Sequence, residues 1–176
     1  MSRGLPSFSI GAYEDILRGL LKAGYVFKPS SQLPVAVEGK TAYLRHDIDL
    51  HLTFVDQMAE VEARLQIPAT YYILLTEQYN PLNRTNRMIL ERIQGCGHEV
   101  GLHYDLETYP TDSDLAHQHL AWEVGLLEKL IGRPVRTIAA HNVYKNQADP
   151  FRLSTLYVNP YNPACHRGLT YVSDSC

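Results

Sequence analysis

The segment Ala69-Thr70-Tyr71-Tyr72-Ile73-Leu74-Leu75 carries no charge and does not alternate apolar with polar side chains. A strand wetted on one face alternates. A run of this kind is covered on both faces, which is the habit of parallel sheets with helices packed against them. Its tyrosines, isoleucine and threonine also favour the pleated backbone. The rest of the chain supplies the partners such a strand needs. Helical spacing runs from Tyr13 to Ala23 through Ile16, Leu17, Leu20 and Leu21, and Gly24 stops it. A second stretch, Leu52 to Leu65, is closed by Pro68; a third, Asn86 to Gln94, is broken by Gly95-Cys96-Gly97. The longest, Asp114 to Ile131, carries Leu120, Val124, Leu127 and Ile131 in one stripe and ends at Gly132-Arg133-Pro134. Strand-like segments lie between them at Thr41 to Leu44, His98 to Leu102 and Val135 to Ala139, with a last one at Leu169 to Val172. Strand and helix in alternation predict an α/β fold, either an open doubly wound sheet or a barrel.

A chain of 176 residues suits one domain over 1–176 with its own core. The formal charge of −3 leaves no basic footprint for nucleic acid. No apolar run approaches about 18 residues, so no membrane helix is expected. The N-terminus lacks the apolar run of a signal peptide, which makes the cytoplasm the expected location. Cys96, Cys165 and Cys176 show no CxxC and read as free thiols. Neither GxGxxG nor GxxxxGK[ST] follows any strand, so no phosphate loop is present.

In both α/β architectures active sites form at the C-terminal ends of strands. Three such ends here carry His, two of them with acidic residues: His46 to Asp49, His103 to Glu107, and His141-Asn142. In extended chain, Asp47 and Asp49 share a face while Ile48 points into the apolar layer. Two carboxylates on one face repel unless a cation lies between them or one is protonated. A metal held by one leaves the other free as a base. The plainer alternative is that they cap the helix beginning near Leu52. In Gly97-His98-Glu99-Val100-Gly101-Leu102-His103, the odd step between the histidines sends them to opposite sides. His103 is then the ligand candidate and His98 a supporting or core hydrogen-bonding group. Glu107 lies four residues beyond His103, where one helical turn would face both at a single ion; a solvated loop carboxylate is the alternative. His141 has a catalytic reading and a loop reading. His117 and His119 border the long helix's apolar stripe, and His51 and His166 have no evident partner. Among the 12 tyrosines, Tyr71, Tyr72, Tyr104, Tyr109 and Tyr144 are candidates for core, or for stacking on a sugar ring near the strand ends.

These motifs resemble the polysaccharide deacetylase superfamily of carbohydrate esterases, over about residues 40–175. Gly97 to His103 matches the family's Gly-His-Glu-hydrophobic-Gly-x-His segment at every position, and Asp47 with Asp49 matches its acidic pair. The Ala69-Thr70-Tyr71-Tyr72 strand and Tyr171-Val172-Ser173-Asp174-Ser175 are similar too. The resemblance implies a distorted or incomplete (β/α) barrel. It implies Asp47 as general base, with Asp49 and His103 as ligands to a divalent metal ion. Zinc suits this mixed nitrogen and oxygen set best, with nickel, cobalt and manganese also compatible. Three departures stand out. Glu107 occupies the position of the family's second metal histidine, Ala140-His141-Asn142 replaces an Arg-x-Pro motif, and the late catalytic histidine has no counterpart. Glu107 or His141 is therefore the expected third ligand, and His141 the expected general acid. The implied reaction is removal of an N-acyl group, most simply acetyl, from an amino sugar or polysaccharide precursor. A carbohydrate-binding or regulatory protein with a degraded catalytic set is the alternative, and a metallophosphoesterase a third reading. An end on a strand would mean a truncated domain or an unusually short barrel, with an edge for a second copy to cover in a homo-oligomer.

Overall fold

The computed structural model describes residues 9–33, 39–142 and 149–172. Tyr144, residues 173–176 and the side chain of His166 lie outside the described residues. The elements are α1 (Ile10–Lys22), β1 (Val26–Lys28), β2 (Thr41–Ile48), α2 (Val55–Arg64), β3 (Ala69–Leu74), α3 (Arg84–Gly95), β4 (Glu99–Tyr104), α4 (Ser113–Ile131) and β5 (Ile138–Ala140). Short 3-10 helices occupy Ser30–Gln32, Leu106–Thr108 and Pro163–His166.

All five strands are parallel, and their order in the sheet is their order in the chain. A doubly wound sheet reverses direction at a switch point and puts helices on both faces. Here no reversal occurs, so right-handed crossovers stack the helices on one side and the sheet curls as a half-barrel. Of the two architectures the sequence left open, the incomplete (β/α) barrel is the one formed.

Local chemistry fixes the helix ends. The Asp112 side chain accepts the backbone N–H groups of Asp114 and Leu115, and Asn83 accepts that of Thr85. At the far end of α4, Gly132 takes a left-handed φ of 67° that most residues resist. The main core lies between sheet and helices, from Leu52, Val55 and Ala59 of the β2–α2 segment to Leu90, Ile93, Leu120, Val124 and Leu127 of α3 and α4. A smaller cluster of Leu17, Phe27, Val61 and Ile67 sits under α1.

β3 is buried at all six positions, as its composition predicts. Two expectations need correction. Residues 169–172 form no strand, and Tyr171 and Val172 are exposed. The strand expected at Val135–Ala139 begins only at Ile138. Upstream, Arg136 and Ile138 share backbone hydrogen bonds with Val158, joined by a single bridge between Thr137 and Val158. β1 was missed because three residues carry no readable period. Cys96 and Cys165 are free thiols. No helix among the described residues is long and apolar enough to cross a membrane.

Candidate metal centre

Register decides which side chains meet. In parallel strands paired residues point to the same face. Asp47 lies opposite Tyr72, Tyr72 opposite Gly101, and Leu74 opposite His103, which lies opposite Ala139. These form the inner face of the half-barrel. His46 and Tyr71, also paired, face the helices. Thus His46 leaves the site although it lies next to Asp47 in the chain.

At the C-terminal rim, Asp49, His103 and His141 each offer one ligand atom, all within 4.8 Å of one another. Asp49 Oδ1 lies 3.2 Å from His103 Nε2 and 3.3 Å from His141 Nδ1. The two imidazole rings stand edge to face with centroids 5.2 Å apart. His103 is buried at the floor, while Asp49 and His141 line the mouth with partial exposure. When the rings carry their second proton, a hydrogen bond and charge from His103, with His141 adding, hold the Asp49 carboxyl below its ordinary value against the upward push of burial.

Several contacts build this arrangement. His103 Nδ1 lies 2.8 Å from the carbonyl oxygen of Ala139, so it donates there and leaves Nε2 as the lone-pair atom facing Asp49. The His141 backbone N–H donates to the Tyr104 carbonyl at 2.8 Å, pinning the end of β5 to β4. Tyr79 was not singled out in the sequence. Its hydroxyl donates to the Ile48 carbonyl and accepts the Leu74 N–H, both at 2.9 Å, tying the exits of β2 and β3 together beside Asp49. A single tyrosine in a turn carries no signal that would have found it. Asp47 Oδ2 lies 3.9 Å from His103 Nε2. Arg45, on the same face, donates to both Asp47 oxygens, from Nε at 3.0 Å and from Nη2 at 2.5 Å.

The donor set fits a divalent cation. Asp49 Oδ1 is buried and accepts no hydrogen bond, despite two ring nitrogens in reach. A buried carboxylate oxygen without a donor is costly in a folded protein, and a shared cation is one way to satisfy it. The capping alternative for the aspartates does not hold: α2 starts behind Phe54, with no side-chain capping bond and a left-handed φ of 70°. Glu107 stands elsewhere. The helical turn expected to bring it to His103 does not form, because β4 continues through Tyr104 and the chain then enters the 3-10 helix capped by Asp105. Glu107 is exposed there and outside the ligand group.

The remaining histidines resolve simply. His98 is buried, accepts the Ala69 N–H at Nδ1 (3.2 Å) and lies 2.9 Å from the Ala59 carbonyl at Nε2, which makes it a core hydrogen-bonding group. His119 packs on Tyr109 and His117 on Phe151, and His51 is exposed. On the helix side of the sheet, Glu62 is fully buried and accepts from the hydroxyls of Tyr13 and Tyr71 while contacting His46 Nε2 at 2.6 Å. Burial pushes its carboxyl up, but His46 and the tyrosine donors prevail and hold it below the ordinary value. Two cavities of about 540 and 330 Å³ lie at the opposite ends of the strands, around Ser31 and Arg136, and share no residue with this centre.

No family model and no curated protein matches the sequence. Solved structures do match the fold. The structure of IcaB from Ammonifex degensii aligns with a TM-score of 0.59 at 18% identity, over 77% of this chain and 69% of that one. A chitin deacetylase from the fungal pathogen Colletotrichum lindemuthianum aligns with a TM-score of 0.47 at 22% identity, over 56% of this chain and 44% of that one. A family 4 carbohydrate esterase from Bacillus anthracis gives 0.47 at 17% identity, over 80% and 60%. The chain thus spans less than two thirds of the latter two. At 18% identity, the likeness to IcaB shows a shared fold.

Proposed function

We propose that this chain is a metal-dependent hydrolase that removes an N-acyl group, most simply acetyl, from an amino sugar of a polysaccharide or its precursor. The observation that carries the proposal is the meeting of Asp49 Oδ1, His103 Nε2 and His141 Nδ1 around one unsatisfied buried oxygen at the strand exits. The matching motifs on the same two strands support it. Asp49, His103 and His141 would hold the ion, zinc being the best suited to one carboxylate and two imidazoles. When bound, a divalent ion supplies water activation and carbonyl polarisation at such a site.

The protein's own groups do the rest. Asp47 takes the proton of the attacking water and returns it to the leaving amine as the C–N bond breaks, since its carboxylate shares the inner face with His103 and stays outside the ligand group. The Ala139 carbonyl keeps the His103 proton on Nδ1. His141 goes to the ligand set in preference to the general-acid role, because its Nδ1 faces the same oxygen that His103 faces.

The test uses the zinc-loaded protein and an N-acetylated chito-oligosaccharide, with acetate release as readout. The wild type is expected to release acetate, and Asp47→Asn to keep zinc at wild-type stoichiometry while losing about 10²- to 10⁴-fold in rate. Turnover by Asp47→Asn at the wild-type rate would remove the base assignment. Stoichiometric zinc with no hydrolysis would support the carbohydrate-binding alternative instead.

A further inference from the structure

We infer that Arg45 is a positioning residue for the proposed hydrolysis, its guanidinium clamped between Tyr72 and Tyr161 so that the Asp47 carboxylate stays turned toward His103. The role proposed for Asp47 is the premise, and the experiment below separates a failure of that role from a failure of this one.

Arg45 and Asp47 stand two residues apart on one strand face, so their backbones are separated by roughly 6.6 Å along β2. An arginine in that position has room to swing away into solvent. This one folds up along its own strand instead. Tyr72, paired with Asp47 across the sheet, lies under the guanidinium with 5.0 Å from its carbon to the ring centroid. Tyr161, from the segment following β5, covers it at 4.6 Å, and its hydroxyl lies 3.1 Å from Nη2. Held between two rings, the fork meets the carboxylate at both oxygens. Two parallel N–H···O bonds fix the plane of the carboxylate as well as its position. Oδ2, the oxygen bonded to Nη2, is the one that lies 3.9 Å from His103 Nε2.

Stability alone gives little reason for this arrangement. Burial works against the charge on Arg45, although Asp47 and the two tyrosine oxygens hold its pKa above the ordinary value. Nη1 remains buried without a hydrogen-bond partner. A well-packed apolar pair in such a place is often as stable as an ion pair, or more so. What the pair does supply is orientation of one carboxylate at the rim of the ligand group. A lysine would keep the charge but lose the fork.

The experiment combines a double-mutant cycle with structures. In the zinc-loaded protein acting on the chito-oligosaccharide, Arg45→Lys is expected to lower kcat about 10- to 100-fold, the scale of loss when a reacting group is displaced by about 1 Å. KM and zinc stoichiometry stay at wild-type values. In the Asp47→Asn background the same substitution is expected to cost less than about 2-fold, because the two residues act as a unit. Tyr161→Phe gives a smaller loss of the same pattern. An equal loss in both backgrounds, or a rise in KM with kcat intact, would overturn the positioning role while leaving Asp47 as base. Full activity of Asp47→Asn would overturn both. A readout independent of turnover comes from crystal structures of the metal-free Arg45→Gln and Arg45→Lys variants. The Asp47 carboxylate is expected to leave its 3.9 Å approach to His103, with Asp49, His103 and His141 unmoved. An unmoved Asp47 in both variants would refute the inference.

Discussion

Two carboxylates near β2 sit among histidines and tyrosines and have opposite characters. Glu62, on the helix side, has its oxygens occupied by Tyr13, Tyr71 and His46 and is closed off from solvent. Asp49, at the rim, is partly exposed, yet its buried Oδ1 accepts nothing while two imidazole nitrogens stand at 3.2 and 3.3 Å. The residue types are nearly the same. What differs is whether hydrogen-bonding capacity is used up. A saturated cluster holds the fold, whereas an unsaturated one, open on one side, has capacity left for a ligand.

The strongest way to break this comparison is to truncate each carboxylate and look for the other's phenotype. Asp49→Ala is expected to abolish zinc binding, read by calorimetric titration, and to lower acetate release by more than about 10²-fold with little change in thermal stability. Glu62→Ala is expected to destabilise the protein by about 3–5 kcal/mol in chemical denaturation, the scale of removing one member of a buried ionic network, while zinc still binds the folded fraction. If Glu62→Ala lost zinc at full stability, or Asp49→Ala unfolded the chain, the division of labour would be wrong.

A smaller effect sharpens the description of the inner face. A Cβ on Gly101 would meet Thr137 Oγ1 at 2.5 Å, Tyr72 Cε1 at 2.7 Å and the Thr137 carbonyl oxygen at 2.9 Å. The last of these is backbone and has little freedom to move. Gly101→Ala is therefore expected to cost about 1–3 kcal/mol through overpacking. It should also disturb the nearby Tyr72, which supports Arg45, so activity should fall with stability; a thermal melt and an acetate assay check both.

The smallest effect is in pH. The Glu62 carboxyl is lowered in the folded protein, so the folded state binds its proton less readily than the unfolded chain. Its stabilisation is therefore full above the ordinary carboxylate value of 4.5 and is lost as pH falls below it toward the lowered value. Glu62→Gln should flatten that acid limb in a series of denaturation curves, with its own stability nearly constant there. Glu123 offers the contrast. Burial raises its carboxyl, more than its bond from Tyr109 lowers it, so its contribution is greatest at low pH and declines as pH rises through the raised value.

The fold was legible where residues act through period and composition. β3 announced itself by seven uncharged residues, and α4 by its stripe and its glycine stop. That Asp49, His103 and His141 would stand together was legible because each lies at the end of an apolar strand. The opposite facing of His98 and His103 followed from an odd step along a strand. What failed were readings that depended on the path after a strand. Glu107 was placed by assuming a helical turn where Asp105 instead caps a 3-10 helix. The pairing of His46 with Glu62, and of Arg45 with Tyr161, joins residues 16 and 116 positions apart, which no local pattern encodes.

β5 is three residues long and, among the described residues, has no regular strand beyond it, the neighbouring backbone joining it through the bridge at Thr137. Its Ala139 carbonyl sets the tautomer of His103, and its end delivers His141. Two of the three donors thus depend on a three-residue edge strand. Peeling that short edge away would disassemble the centre in one event, well before the hydrophobic layer beneath α2, α3 and α4 came apart. Bound cation and docked edge strand would then guard each other against fraying, and amide exchange at Ala139 and Ala140 would slow together as the ion is added.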